Sequence, residues 1–384
     1  MKADLHWFKT NLGYDFLNDE LPTAAYAFEP AKGSGDSEDL AREIIDFDSE
    51  GPSGLQFFAF STATGLSRYK DIQWPAGKEP RTAATAGGTA DEPLPKADVL
   101  VVTWTVDEGH ALSRVLTPGK DSRNDYQSYT HNFETLSKKF RRGSPALEAK
   151  RLGAYWMTTI AGRSVVVFKS DSHLSQDGPE VPNIDVWRQI VQEVGPRLVI
   201  TTGTAGGIGT DAQVGDVCVS AEVRFDCTSK FKAQPFHDGA YASRAANAAG
   251  LLNDAQDLFK YNSEMLPRTN TRPPLVTVNP PEALTNCVVT TDFFGFDTSN
   301  DHYKLQGLGL VSEMGDAVLG LVTEEMGEAA PAWLAIRNVS DPQIAASDLT
   351  LKQQGDMAAQ IYKAYGRWSS VCSAITCWAY IAVA

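Results

Sequence analysis

The stretch from Arg197 to Ser220, R-L-V-I-T-T-G-T-A-G-G-I-G-T-D-A-Q-V-G-D-V-C-V-S, restricts the fold more than any other part of the chain. Leu198 to Thr202 is apolar, β-branched and uncharged, the pattern of a strand buried on both faces of a parallel sheet. Gly203-Thr204-Ala205-Gly206-Gly207 follows, and three glycines among five residues predict a loop. Such a loop admits positive φ and brings bare backbone up to a small polar ligand. Val214-Gly215-Asp216 then turns the chain into a second apolar strand, Val217 to Ser220. Between two core strands is where α/β folds open a binding crevice. The loop has neither the G-x-G-x-x-G spacing of dinucleotide folds nor the G-x-x-x-x-G-K-[ST] of P-loops, so a plain tight turn is the alternative.

Other segments supply the elements around this strand. Ala97 to Trp104 has the pattern of a buried strand, and Asp107-Glu108-Gly109-His110-Ala111-Leu112 begins a helix with acids in its first turn, where the macrodipole favours them. Tyr155 to Lys169, with a turn at Ala161-Gly162-Arg163, predicts a hairpin or two consecutive sheet strands. Asp185 to Val194 is amphipathic, with Trp187, Ile190, Val191 and Val194 on one face, and leads into the Leu198 strand as a βαβ unit. Asn286 to Phe296 and Ala332 to Asp341 are further strands ending in polar turns. From Leu349 to Val383, residues such as Met357, Ile361, Cys372 and Ile375 recur at helical steps, which predicts a long helix carrying core rather than chemistry. Residues 1–95 hold Gly- and Pro-rich stretches at 33–39 and 77–95, so a partly ordered N-terminal extension is expected ahead of one domain at 96–384. Insertions are expected near 116–150 and 230–280, the second with a helix around Ala245 to Tyr261.

The phrase G-T-A-G-G, followed by V-G-D-V and then A-E-V-R-F-D, closely resembles the nucleoside phosphorylase and nucleosidase superfamily, in particular the methylthioadenosine/S-adenosylhomocysteine nucleosidases. The resemblance covers residues 97–384. It implies a three-layer α/β fold of the phosphorylase/hydrolase type, with a central mixed sheet flanked by helices. It places Gly206 and Gly207 in the substrate loop, and Glu108, last of the acids after the first strand, as the group that polarises an attacking water. Complementing a helix N-terminus is the plain alternative for Glu108. Thr291-Asp292-Phe293-Phe294 matches a family segment whose aromatic residue stacks on the purine, which implies that role for Phe294 with Phe293 as its neighbour; core packing is the alternative. Glu313-Met314 aligns with the start of the family's E-M-E-x-A, so Met314 is implied to pack on the nucleoside. Gly315, however, stands where the family has the glutamate that holds the ribose hydroxyls, leaving Asp316 or Glu313 to replace it. Ile336-Arg337-Asn338-Val339-Ser340-Asp341 matches I-R-x-I-S-D, which implies Asp341 as the acid on purine N7 with Ser340 beside it.

Cleaving an N-glycosidic bond needs an acid on the leaving base, a hold on the sugar hydroxyls and a base for water. Asp341, Glu313 or Asp316, and Glu108 are the candidates. Thr103-Trp104-Thr105 lacks the glycines of a phosphate pocket, which favours water over phosphate. The expected activity is that of a purine nucleosidase, releasing free base and sugar from a nucleoside or nucleotide. A purine nucleoside phosphorylase and a non-catalytic nucleoside-binding or scaffold protein remain alternatives. Lys138, Lys139, Arg141 and Arg142 form either a solvated face or a contact to substrate phosphates. With a net charge of −14 the chain is too acidic to neutralise a nucleic-acid backbone. No H-E-x-x-H or Cys/His cluster is present, so neither metal nor cofactor is expected, and of the six histidines His110 is the one near the proposed chemistry. Five cysteines without a C-x-x-C pair predict reduced thiols. With no secretory signal and a C-terminal apolar stretch too short to span a bilayer, a cytoplasmic homo-oligomer, a dimer, with no membrane partner is expected.

Overall fold

The computed structural model describes residues 74–83, 89–120, 125–245, 254, 257, 275–279 and 287–383. The bulk of the expected N-terminal extension, and all but Ala245, Asp254 and Asp257 of the helix expected around Ala245 to Tyr261, lie outside the described residues. The strands are β1 (Arg81–Thr82), β2 (Val99–Thr103), β3 (Gln127–Tyr129), β4 (Gly153–Ile160), β5 (Arg163–Ser170), β6 (Leu198–Gly207) and β7 (Val217–Ser220). They continue as β8 (Glu222–Asp226), β9 (Ala240–Ala242), β10 (Val276–Asn279), β11 (Cys287–Thr291), β12 (Gly309–Glu313) and β13 (Ala332–Asp341). The helices that matter here are α1 (Val106–Leu116), α2 (Leu174–Asp177), α3 (Pro182–Val194), α4 (Asp316–Met326) and α5 (Leu351–Val383).

All the described strands join one mixed sheet, with the path β1-β4-β5-β2-β6-β12-β11-β8-β9, with β13 branching from β6 and followed by β7 and β10, and with β3 on β4. β6 is the hub: β2 and β13 flank it in parallel, and β12 meets its far end antiparallel. The sheet takes its helices on both faces because its central strands are buried at nearly every position. Leu100, Val102, Val166, Phe168 and Val199 point to the side packed by α3 and α4, where Trp187, Ile190, Ala317 and Val322 lie. Val99, Val101, Val165, Val167 and Ile200 point to the other side, where α1 and the second half of α5 supply Leu112, Val115, Cys372, Ile375 and Trp378. Alternate residues of one strand thus feed two separate cores, which is the period-two pleat applied to a strand with no solvent face.

The hairpin forms as expected, with β4 and β5 antiparallel from Gly153↔Ser170 to Ile160↔Arg163 and a tight turn in which Ala161 and Gly162 both take positive φ. The glycine segment departs from expectation. It is strand rather than loop: β6 runs on through Gly207, paired with β13 from Arg337↔Gly203 to Asp341↔Gly206. A long parallel partner supplies hydrogen bonds that outweigh glycine's weak strand preference. The segment at 125–150 is likewise more than a polar excursion, since β3 pairs with β4 and Tyr129, Leu136 and Phe140 are buried. Trp74 packs on Trp378 with ring centroids 4.6 Å apart, and the Trp378 indole donates to the Lys78 carbonyl at 2.6 Å. Among the described residues no helix is long and apolar enough to cross a membrane.

Candidate active site

Because β2, β6 and β13 are parallel, their C-terminal ends lie together, and a cavity opens there. Glu108, Gly206, Phe294, Glu313, Met314, Ser340 and Asp341 all line it, although they come from five different stretches of chain.

Glu108 enters from the first turn of α1. Thr105 caps that helix and forms a capping box with Glu108, so the local sequence fixes the carboxylate before any ligand is present. Its Oε2 accepts from Thr103 Oγ1 at 2.7 Å, Trp104 N at 3.1 Å and Thr105 N at 3.0 Å, and its Oε1 from Thr204 N at 2.7 Å and Thr204 Oγ1 at 2.8 Å. Burial alone would raise this carboxyl; the Arg337 charge and the hydrogen bonds from Thr103, Thr105 and Thr204 outweigh it and hold the group below its ordinary range. Helix capping and placement in the cavity are therefore one arrangement. Gly203 is what allows it: a Cβ there would stand 2.3 Å from Glu108 Oε1, on a backbone with φ of +148°.

Asp341 sits at the end of β13, where the register against β6 shifts between Val339 and Asp341. This bulge at Ser340 brings two consecutive side chains to the cavity instead of one. Ser340 Oγ donates to Asp341 Oδ1 at 2.8 Å, and Asp341 Oδ2 lies 3.1 Å from where a Cβ on Gly206 would be. Burial pushes the Asp341 carboxyl up to about 6, with the Ser340 hydroxyl pulling modestly the other way.

A buried ionic group adjoins Glu108. Arg337, three residues before Ser340 on β13, donates through Nε to Asp316 Oδ2 at 2.8 Å and through Nη2 to Asp316 Oδ1, and its Nη2 lies 3.3 Å from Glu313 Oε2. Its guanidinium lies over the Trp104 ring, 4.7 Å from the centroid. Glu313 accepts from Thr290 Oγ1 and from Asp316 N at 3.0 and 3.1 Å; burial and the nearby Asp316 charge raise its carboxyl against the pull of Arg337.

Three of the expected residues do not reach the cavity. Asp316 is turned to Arg337 and buried behind the lining. Phe293 packs on Tyr303, ring centroids 5.2 Å apart, while Phe294 faces the cavity. Gly207 is a packing glycine whose Cβ would meet that of Ala212 at 2.7 Å. Of the cations at 138–142, Lys139 pairs with Asp185 at 2.6 Å and Arg141 reaches Gln176 at 3.5 Å; none of the four lines the cavity. Trp104, His173, Arg337 and Tyr362 line it without having been singled out as ligands, and His110 does not. His173 follows β5, and burial pushes its imidazole down to about 4, so it is neutral at physiological pH. Tyr362 comes from α5 and corrects the expectation that this helix supplies core alone. Trp104 closes the strand expected at Ala97 to Trp104 and Arg337 stood inside the quoted I-R-N-V-S-D phrase, whereas no local signal marks His173 or Tyr362. Among the described residues no group of three or more His, Cys, Asp and Glu is arranged to hold a metal ion.

The family model for the phosphorylase superfamily matches residues 128–366, more than half of the chain. The chain belongs to the phosphorylase superfamily. No curated protein matches it in sequence. Among solved structures it is similar to an S-adenosylhomocysteine nucleosidase from Streptococcus pyogenes, at 13% identity over 75% of this chain and 98% of that one, TM-score 0.46. It is similar to the futalosine hydrolase of Helicobacter pylori at 12% identity, over 73% and 95% of the two chains, TM-score 0.44. A 5'-methylthioadenosine/S-adenosylhomocysteine nucleosidase from Neisseria meningitidis is similar at 16% identity, over 73% and 98%, TM-score 0.39. The mixed sheet with helices on both faces is the architecture of this superfamily.

Proposed function

We propose that the protein is a purine nucleosidase that hydrolyses the N-glycosidic bond of a nucleoside. One observation carries this: two carboxyls in the same cavity are driven in opposite directions, Glu108 held ionised and Asp341 pushed up to about 6. Environments that split a pair of carboxyls mark the acid and the base of a reaction. Asp341, with Phe294 near it to stack on an aromatic base, donates its proton to the leaving purine as the glycosidic bond breaks. The electron pair of that bond leaves with the base, and the sugar becomes oxocarbenium-like. Glu108 orients a water towards the anomeric carbon and takes its proton as the new C–O bond forms. Its low basicity suffices, because an oxocarbenium carbon reacts readily with water itself.

Charge favours water over phosphate as nucleophile. Arg337 lines the cavity, but Asp316 neutralises it and Glu108 and Glu313 stand on either side. A phosphate dianion there would meet more negative than positive charge. The test is release of free base, followed by liquid chromatography, from methylthioadenosine, adenosine, inosine and AMP, each with and without phosphate, alongside Asp341→Asn. Phosphate-independent release that drops at least roughly 100-fold in the variant supports hydrolysis with a general acid. Release only with phosphate would move the assignment to a phosphorylase.

A further inference from the structure

A sugar enclosed beside Glu108 leaves water, and each hydroxyl it brings then needs a hydrogen-bond partner from the protein. Most polar side chains of the lining already serve the fold. Ser312 Oγ donates to Gly295 O at 3.2 Å, Thr291 Oγ1 to Phe293 O at 2.8 Å and Ser340 Oγ to Asp341 Oδ1 at 2.8 Å. Thr204 Oγ1 gives its proton to Glu108, and Thr105 Oγ1 accepts from Glu108 N at 3.2 Å. The Arg337 guanidinium is committed to Asp316 and to the Thr204 carbonyl at 3.3 Å. Trp104 Nε1 has no partner among the described residues, but it is closed off from solvent.

His173 differs from all of these. Its backbone N–H donates to Asp177 Oδ2 at 2.8 Å and its Nδ1 pairs with Ser175 Oγ at 3.0 Å, so main chain and ring are both held before any ligand arrives. Nε2, at the far end of the ring, has no hydrogen-bond partner among the described residues, although the ring lines the cavity. Of the charges that act on the imidazole, Glu108 comes first and Arg337 second. The ring therefore stands at the Glu108 end, where the anomeric carbon and its sugar lie in the proposed mechanism. A neutral imidazole has one N–H and one bare nitrogen, and the role Nδ1 takes with Ser175 decides which of them Nε2 presents. A sugar hydroxyl both donates and accepts, so it meets Nε2 in either tautomer. A ring oxygen or a thioether meets it in only one.

We infer that His173 Nε2 binds one hydroxyl of the sugar and makes that hydroxyl a specificity determinant of the site. The inference rests on the nucleosidase reading above and names a residue through which the site reads its substrate. A sugar lacking that hydroxyl strips the nitrogen of water and returns nothing.

The test compares variant and parent on the same substrate, which cancels the intrinsic reactivity of each sugar. The substrates are adenosine and its 2'-, 3'- and 5'-deoxy forms, with the matching inosine series, followed by base release. Where the parent does not cleave a deoxy form, its inhibition constant is compared instead. His173→Asn keeps an amide near Ser175 and withdraws the outer nitrogen, whereas His173→Gln puts a donor and an acceptor back near it. In His173→Asn, kcat/KM is expected to fall at least roughly tenfold on the full nucleoside and on two deoxy forms. On the remaining deoxy form it is expected to stay within about twofold of the parent, which identifies the bound hydroxyl. His173→Gln is expected to regain part of the loss. A fall of the same size on every substrate overturns the inference, and so does no fall on any; base release by the parent then leaves the nucleosidase standing. A parent that releases no base from any of the nucleosides removes both. If His173→Asn does not fold, His173→Phe against His173→Gln carries the same comparison.

Discussion

Glu108 and Asp341 show how little of a residue's chemistry its name fixes. Both are buried carboxyls, yet five donors hold one ionised while Asp341 gains a single hydroxyl. On the proposed mechanism Asp341 works in its protonated form, so kcat/KM should fall about tenfold per pH unit once pH rises through about 6. A pH profile in which Asp341→Asn lacks that descending limb would bear this out, and a limb that persists in the variant would remove Asp341 from the role. Gly203→Ala tests the other acid: its methyl would collide with the Glu108 carboxylate, so activity should drop at least roughly 100-fold with a loss of about 2–3 kcal/mol in stability by denaturant titration. A third buried acid, Asp177, gives a stability test away from the cavity lining. Burial raises it to about 8 in the fold against 3.8 ordinarily, so its neutral form favours the fold below about pH 4 and that contribution is lost as pH rises through about 8. Asp177→Asn, whose amide oxygen can still accept from Ser172 Oγ and His173 N, should therefore melt above the parent at pH 9 and lose that advantage at pH 5.

At the scale of elements, α1 and β13 each do two jobs. Thr105 caps α1 and in doing so aims Glu108; Thr105→Ala should cost about 1 kcal/mol and lower activity together, measured by urea titration and base release. β13 alternates Arg337 towards the cavity with Asn338 towards α5, where Asn338 Nδ2 donates to Ser369 Oγ at 2.7 Å and its Oδ1 accepts from Ser373 Oγ at 2.8 Å. The strands were legible because alternation and charge-free runs are local signals, whereas the gathering of Glu108, Phe294, Glu313 and Asp341 at one cavity was legible only through the match of their segments to a family's motifs. His173 and Tyr362 were not, since each reaches the cavity through the packing of separate elements. The glycines of β6 were misplaced for a related reason: local preference says turn, whereas a ten-residue strand running beside them says sheet.

The whole molecule is held across the sheet by α5, which lines the cavity at Tyr362 and is buried against α1 further along. Trp378 anchors that far part on Trp74 and Lys78, and Trp378→Ala should cost about 3–5 kcal/mol in a thermal or chemical melt. The central place of β6 has a further consequence for motion. Opening of the sheet begins at its edges, where β1 and β9 each have one partner, and reaches β6 last, since β2, β13 and β12 must first let go. Thr202 to Gly206 should thus be among the slowest amides to exchange with deuterium, and the backbone that supports Glu108 and Asp341 would outlast partial unfolding of the rim.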